Sequence, residues 1–187
     1  VTLRQNIMTD RQRLERHEIF PKKSLGQNFL HDPNILTKIV EHAELSPDTT
    51  VLEIGPGTGN LTRVLADAAG RLVAVELDDR LLPLLHDEFD PMDHVSIVHA
   101  DILELNLTEL LQGVPFVVVA NLPYYITTAI LRHLLEAKYS PERIVITMQR
   151  EVAERIIAKP GDMSLLAVSV QFYGTPRLVM QLSPGVF

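Results

Sequence analysis

The sequence predicts an α/β fold with a mainly parallel sheet covered by helices on both faces. Three observations predict it. Short apolar runs rich in Val, Ile and Leu recur between amphipathic segments with helical spacing, the pattern of βαβ units. Those runs are close to continuously apolar, as strands buried on both faces are. Gly, Asn and Asp then gather just after the runs, where such a sheet opens towards its ligands.

In chain order, residues 10–18 suit a short polar helix, and "FPKKSLGQNFLHD" reads as loop because Pro, Gly and Asn interrupt any period. "DPNILTKIVEHAEL" starts a helix: Asp32 can cap it, Pro33 suits the first turn, and Ile35, Leu36, Ile39, Val40 and Ala43 share a face. A strand at "TVLEI" follows, then a helix at "NLTRVLADAAG" that Gly70 should end, and a strand at "RLVAVEL". A helix near 79–89, a strand at "VSIVHA", a short helix near 107–112 and a strand at "FVVVA" come next. The remainder reads as helix "TTAILRHLLEAK", strand "RIVITMQ", helix "EVAERIIA", an apolar helix near 163–173 and a last strand "RLVMQL".

With 187 residues, 46% hydrophobic and 22% charged, the chain suits one globular domain. Its first 23 residues carry six Lys and Arg against three acids, although the whole has a net charge of -7. We therefore expect an N-terminal arm with a short helix over residues 1–20, and a ligand-binding domain over 21–187. No apolar run approaches the roughly 18 residues of a membrane span, and charges run through the N-terminus, so a cytoplasmic protein without a membrane partner is expected. The absence of cysteine excludes disulfides, thiolate metal sites and a cysteine nucleophile. Seven histidines remain, none in a metal-binding spacing, and no metal is expected.

Four strand ends carry the functional signal. "EIGPGTGNL" places Gly55, Gly57 and Gly59 in a turn before a helix, where backbone can approach a ligand closely. Asn60 stands at the sixth position of the pattern, so the run departs from the dinucleotide fingerprint and favours an adenosyl ligand without pyrophosphate. Glu76 ends "VAVE", where a carboxylate can accept from both hydroxyls of a ribose; a nicotinamide and an adenosylmethionine site both want this. Asp101, after "VHA", can accept from an adenine amino group, and "ANLPYY" brings Asn121 to the fourth strand end.

Taken together, "KKSLGQNFL", "EIGPGTGNLT", "AVELD", "ADIL", "NLPYYI" and "MQREVAERI" resemble, in order and spacing, the ribosomal RNA adenine dimethyltransferases, most closely the bacterial small-subunit branch. The resemblance runs from about Arg13 to Phe187 and implies a Rossmann-like class I methyltransferase fold. It implies S-adenosyl-L-methionine as methyl donor, held by Asn28, Leu30, Gly55, Gly57, Glu76, Asp101 and Asn121. It also implies dimethylation of two adjacent adenosines in a hairpin loop near the 3' end of small-subunit ribosomal RNA, with a role in small-subunit biogenesis. The family continues past "PGVF" into a Pro-rich turn, a last strand and a small helical domain, which this chain does not contain. Small-subunit ribosomal RNA, or the immature subunit, is the expected partner of a monomer.

Such a reaction needs little acid or base, because the methyl of a sulfonium is already activated and alignment supplies most of the rate. The difficult partner is the planar amino nitrogen of adenine. Asn121 and the Leu122 carbonyl are expected to accept its hydrogens, Pro123 to stiffen the turn, and Tyr124 to stack on the extruded base. Two other readings remain at this stage: a large-subunit RNA adenine methyltransferase of the macrolide-resistance type, and a mainly non-catalytic ribosome assembly factor.

Overall fold

A computed structural model of the chain describes residues 10–17, 19, 29–123 and 126–186. Five parallel strands form one sheet in the order β3-β2-β1-β4-β5: β1 Thr50–Ile54, β2 Arg71–Glu76, β3 Val95–His99, β4 Val117–Asn121 and β5 Arg143–Thr147. The order reverses between β1 and β4, so the crevice beyond their carboxyl ends is the switch point where ligands bind in open α/β sheets.

Period-two alternation divides the core. Val51, Leu72, Val117 and Val119 pack against Leu36, Ile39 and Val40 of α2, Pro33–Ala43, and Leu61 and Leu65 of α3, Asn60–Ala68. The intervening residues Leu52, Ile54, Val73, Val75, Val118 and Ala120 face the other way. They meet Leu107 of α5, Leu107–Leu110, and Ile130 and Leu134 of α6, Thr127–Leu135. Helices therefore cover both faces. A third cluster joins Leu14 of α1, Asp10–Arg16, and Ile19 to Leu84, Leu85 and Phe89 of α4, Leu82–Phe89.

Local chemistry sets the element ends. Asp32 accepts from the backbone N–H of Asn34 and Ile35, and Pro33 occupies the first turn of α2, a cap of about 1 kcal/mol. Gly70 follows α3 as expected, for a different reason. Its φ is not left-handed, and a Cβ there would lie 1.8 Å from the Pro47 carbonyl oxygen. Close approach of two backbones, and not a helix-ending turn, requires glycine.

After β5 come α7, Arg150–Ile156, and α8, Leu165–Tyr173. The expected strand "RLVMQL" is not one. Met180 and Leu182 pack against the core as its alternation suggests, but Leu178 and Val179 are about half exposed and no strand ladder includes the segment. Alternation oriented its side chains; without a neighbouring strand to pair with, it did not make a strand.

Candidate functional site

The strand ends β1, β2 and β4 and the residues after β3 surround a cavity of about 120 Å³, walled by Leu30, Gly55, Gly57, Glu76, Asp101 and Asn121. Leu122 and Pro123 line it too. The described residues expected at the site thus converge on one mouth. Asn28 and Tyr124 lie outside the described residues, as do residues 22–28 of the loop before Phe29 and Tyr125.

The glycine loop is built on left-handed backbone, with φ of 69° at Gly55, 60° at Gly57 and 81° at Gly59. Gly55 donates to the Val75 carbonyl at 2.9 Å, and Gly59 to that of Pro56 at 2.9 Å, folding the loop over the end of β2. The three glycines have different neighbours. A Cβ on Gly57 would meet the Phe29 ring at 3.0 Å, and one on Gly59 the Phe89 ring at 2.8 Å. One on Gly55 would meet no atom of the described residues within 4 Å.

The segment preceding α2 closes one side. Leu30 is buried and its carbonyl accepts from Asn60 Nδ2 at 3.1 Å, joining the loop to the start of α3. From the other side Arg13 of α1 donates to the Thr58 carbonyl at 2.7 Å, while Arg13 and Arg63 both pair with Glu88. The N-terminal helix is therefore fastened to the glycine loop itself.

Glu76 is buried, with Oε2 accepting from Gly57 N–H at 3.0 Å and Oε1 from Asp78 N–H at 2.8 Å. Burial raises its pKa from the ordinary carboxylate value, and the N–H groups of Asp78, Gly57 and Leu77 oppose the rise. Each oxygen has a second acceptor direction, so the carboxylate can take a diol without breaking the bonds that fix it. Asp101 caps the 3-10 turn Ile102–Glu104 through Oδ1, which accepts from Leu103 N–H at 2.9 Å. Asn121 is the last residue of β4, one register beyond Ala120, with Oδ1 accepting from Thr147 Oγ1 of β5 at 2.5 Å.

One residue of the site was not anticipated. Glu53 lies inside β1, only 1% exposed, and lines the cavity. Among the described residues neither of its carboxyl oxygens has a hydrogen-bond partner, and neither does Thr62 Oγ1 on α3. Burial, with a smaller contribution from the Glu76 charge, pushes its pKa up to about 8. The signal was present: a lone carboxylate in an otherwise apolar, doubly covered strand has to be neutral or meet a ligand. Period-two alternation places Glu53, Glu76 and Asn121 on the same face of the sheet.

These features suit adenosylmethionine. Gly55 leaves a space that any side chain would fill, Glu76 offers two anchored acceptors for ribose hydroxyls, and the unpartnered Glu53 oxygens are acceptors that a cationic ligand would satisfy.

A family model described as ribosomal RNA adenine dimethylase matches residues 20–187. The ribosomal RNA small subunit methyltransferase A of Dehalococcoides mccartyi strain CBDB1 is 48% identical over 175 residues, 93% of this chain and 60% of that protein. Among solved structures, the 23S rRNA methyltransferase ErmE aligns over 75% of this chain and 56% of its own, with TM-score 0.66 and 37% identity. A dimethyladenosine transferase from Plasmodium falciparum aligns over 77% of this chain and 52% of its own, with TM-score 0.66 and 27% identity. The chain spans about 60% of the length of the curated relatives it matches. With the match covering nearly all of the domain, the chain belongs to the ribosomal RNA adenine dimethylase family.

Proposed function

We propose that this chain is the catalytic part of an S-adenosylmethionine-dependent enzyme that dimethylates, at N6, two adjacent adenosines in a hairpin loop near the 3' end of small-subunit ribosomal RNA. The observation that carries the proposal is Asn121, held at the end of β4 on the wall of the cavity that Gly55, Glu76 and Asp101 share. The small-subunit assignment is supported by identity: 48% to a small-subunit methyltransferase, against 37% to a 23S enzyme. An assembly role in the cytoplasm, acting as a monomer on the immature subunit, accords with that substrate. Among the described residues no helix is long and apolar enough to cross a membrane. We keep the division into an arm over 1–20 and a methyltransferase domain over 21–187.

Leu30, Gly55, Gly57, Glu76 and Asp101 would hold the methyl donor, with Asn28 on the loop before them. When bound, adenosylmethionine supplies a methyl group already activated on sulfonium. The protein's task is to present the amino nitrogen. The Asn121 amide oxygen and the Leu122 carbonyl accept its hydrogens, drawing the nitrogen from planar towards tetrahedral and stabilising the positive charge it acquires. The extra proton then leaves to water. Pro123 stiffens this turn: its carbonyl accepts from Ile126 N–H at 3.3 Å and Thr127 Oγ1 at 3.0 Å. Tyr124 supplies a stacking face for the extruded base, an interaction of about 1–3 kcal/mol.

The test is tritiated methyl transfer to small ribosomal subunits lacking the modification, followed by mapping of the labelled adenines. It should be run with this chain and with one of its relatives' length. Label on the two adjacent adenosines is expected, and Asn121→Ala should lower the rate by about 10²-fold or more. Label on large-subunit RNA would replace the reading with the macrolide-resistance type. Tight binding to immature subunits without label would replace it with an assembly factor.

A further inference from the structure

Asn121 does not stand alone at the end of β4. Parallel pairing sets its Cα opposite that of Thr147, the last residue of β5, and the Thr147 hydroxyl donates to Asn121 Oδ1 at 2.5 Å. Both residues are half-buried and each ends its strand, so the bond ties two adjacent tips of the sheet at the mouth of the cavity.

We infer that Thr147 is a positioning residue for methyl transfer: its hydroxyl fixes the plane of the Asn121 amide, and with it the direction in which Oδ1 meets the target amino group. The inference rests on the methyl-transfer reading of the site. The torsion that turns an asparagine amide is broad and roughly two-fold, so χ2 alone does not aim the oxygen. A carbonyl oxygen has two acceptor directions. A donor on a neighbouring strand that occupies one of them sets the line along which the oxygen can accept a further hydrogen bond. That donor is β-branched, with a restricted χ1, and sits on a rigid strand instead of a loop. Asn121 lines the cavity and Thr147 stands behind it on β5, so the role inferred for Thr147 is exerted through the amide.

Two substitutions separate this role from a packing role. Thr147→Val keeps shape and branching and removes the hydroxyl; Thr147→Ser keeps the hydroxyl and removes a methyl. In single-turnover transfer to unmodified small subunits, Thr147→Val should fall by about tenfold to a hundredfold, and Thr147→Ser should stay within about threefold of the parent. Affinity for S-adenosylhomocysteine should be the same in all three. A Thr147→Val rate equal to the parent's overturns the inference, as does a Thr147→Ser loss matching it or a fall in S-adenosylhomocysteine affinity. Asn121→Ala run alongside separates the two levels: if it retains transfer, the reading of the site is wrong. If it is inactive while Thr147→Val is fully active, only the role of Thr147 is lost. A second measurement needs no turnover and decides the matter where RNA transfer by this chain is too slow to follow. The Asn121 side-chain amide should give one sharp pair of NMR resonances in the parent and Thr147→Ser, and a broadened or averaged pair in Thr147→Val. An unchanged pair in Thr147→Val overturns the inference.

Discussion

Glu53 shows what a single buried carboxyl does to the whole chain's response to pH. Its pKa moves from 4.5 to about 8 on folding because burial penalises the ionised form. Between those values the folded protein holds a proton that the unfolded chain releases. The group's contribution to stability is therefore full below pH 4.5 and declines as pH rises to about 8. Glu53→Gln is neutral throughout and escapes the decline. Denaturant unfolding should find the two proteins similar near pH 5 and the variant more stable, by a few kcal/mol, near pH 8. A stability difference independent of pH would show that Glu53 ionises freely when folded. At this scale the sequence was half legible. Gly55, Glu76, Asp101 and Asn121 end or follow strands and could be read from their position. Glu53 sits within a strand, and Thr147 gains its role only from the register of β4 and β5, which one sequence does not state.

Among the elements, boundaries written in local chemistry were readable and those made by tertiary contact were not. Asp32 and Pro33 announce α2 because capping needs only neighbours in sequence. The strand expected at 177–182 failed because a strand needs a partner, and alternation alone cannot supply one. Gly70 lies between: its place was legible and its reason was not. With the Pro47 oxygen 1.8 Å from where a Cβ would stand, Gly70→Ala has to push two backbone segments apart. We expect a loss of about 3 kcal/mol or more in thermal or denaturant unfolding. Gly113→Ala makes the control, since its φ of 68° brings strain but no atom of the described residues lies within 4 Å; about 1 kcal/mol is expected there. Equal losses would refute the close-approach explanation.

Across the whole molecule, segments distant in sequence meet at the glycine loop. Arg13 bonds the Thr58 carbonyl across 45 residues, Glu88 gathers Arg13 and Arg63, and Phe89 lies under Gly59. Arg13→Ala should lower stability by about 1–2 kcal/mol and speed amide hydrogen exchange at residues 57–60, leaving the far edge at β5 unchanged. Uniformly faster exchange would mean that α1 supports the fold in general and not this loop. The doubly wound plan itself was visible in the alternation of apolar runs and helices, because covering a parallel sheet on both faces dictates that pattern. The left-handed backbone of the loop has an evolutionary consequence as well. Of ordinary residues, Asn tolerates a φ near 69° best, yet no single-base change converts a glycine codon to an asparagine codon. The changes within one step are Ala, Ser, Arg, Val, Asp, Glu, Cys and Trp, and each would place a side chain in the space Gly55 leaves open. Asp shares part of Asn's tolerance of that backbone and lies one step away, so the open space, and not the code, is what keeps glycine at position 55.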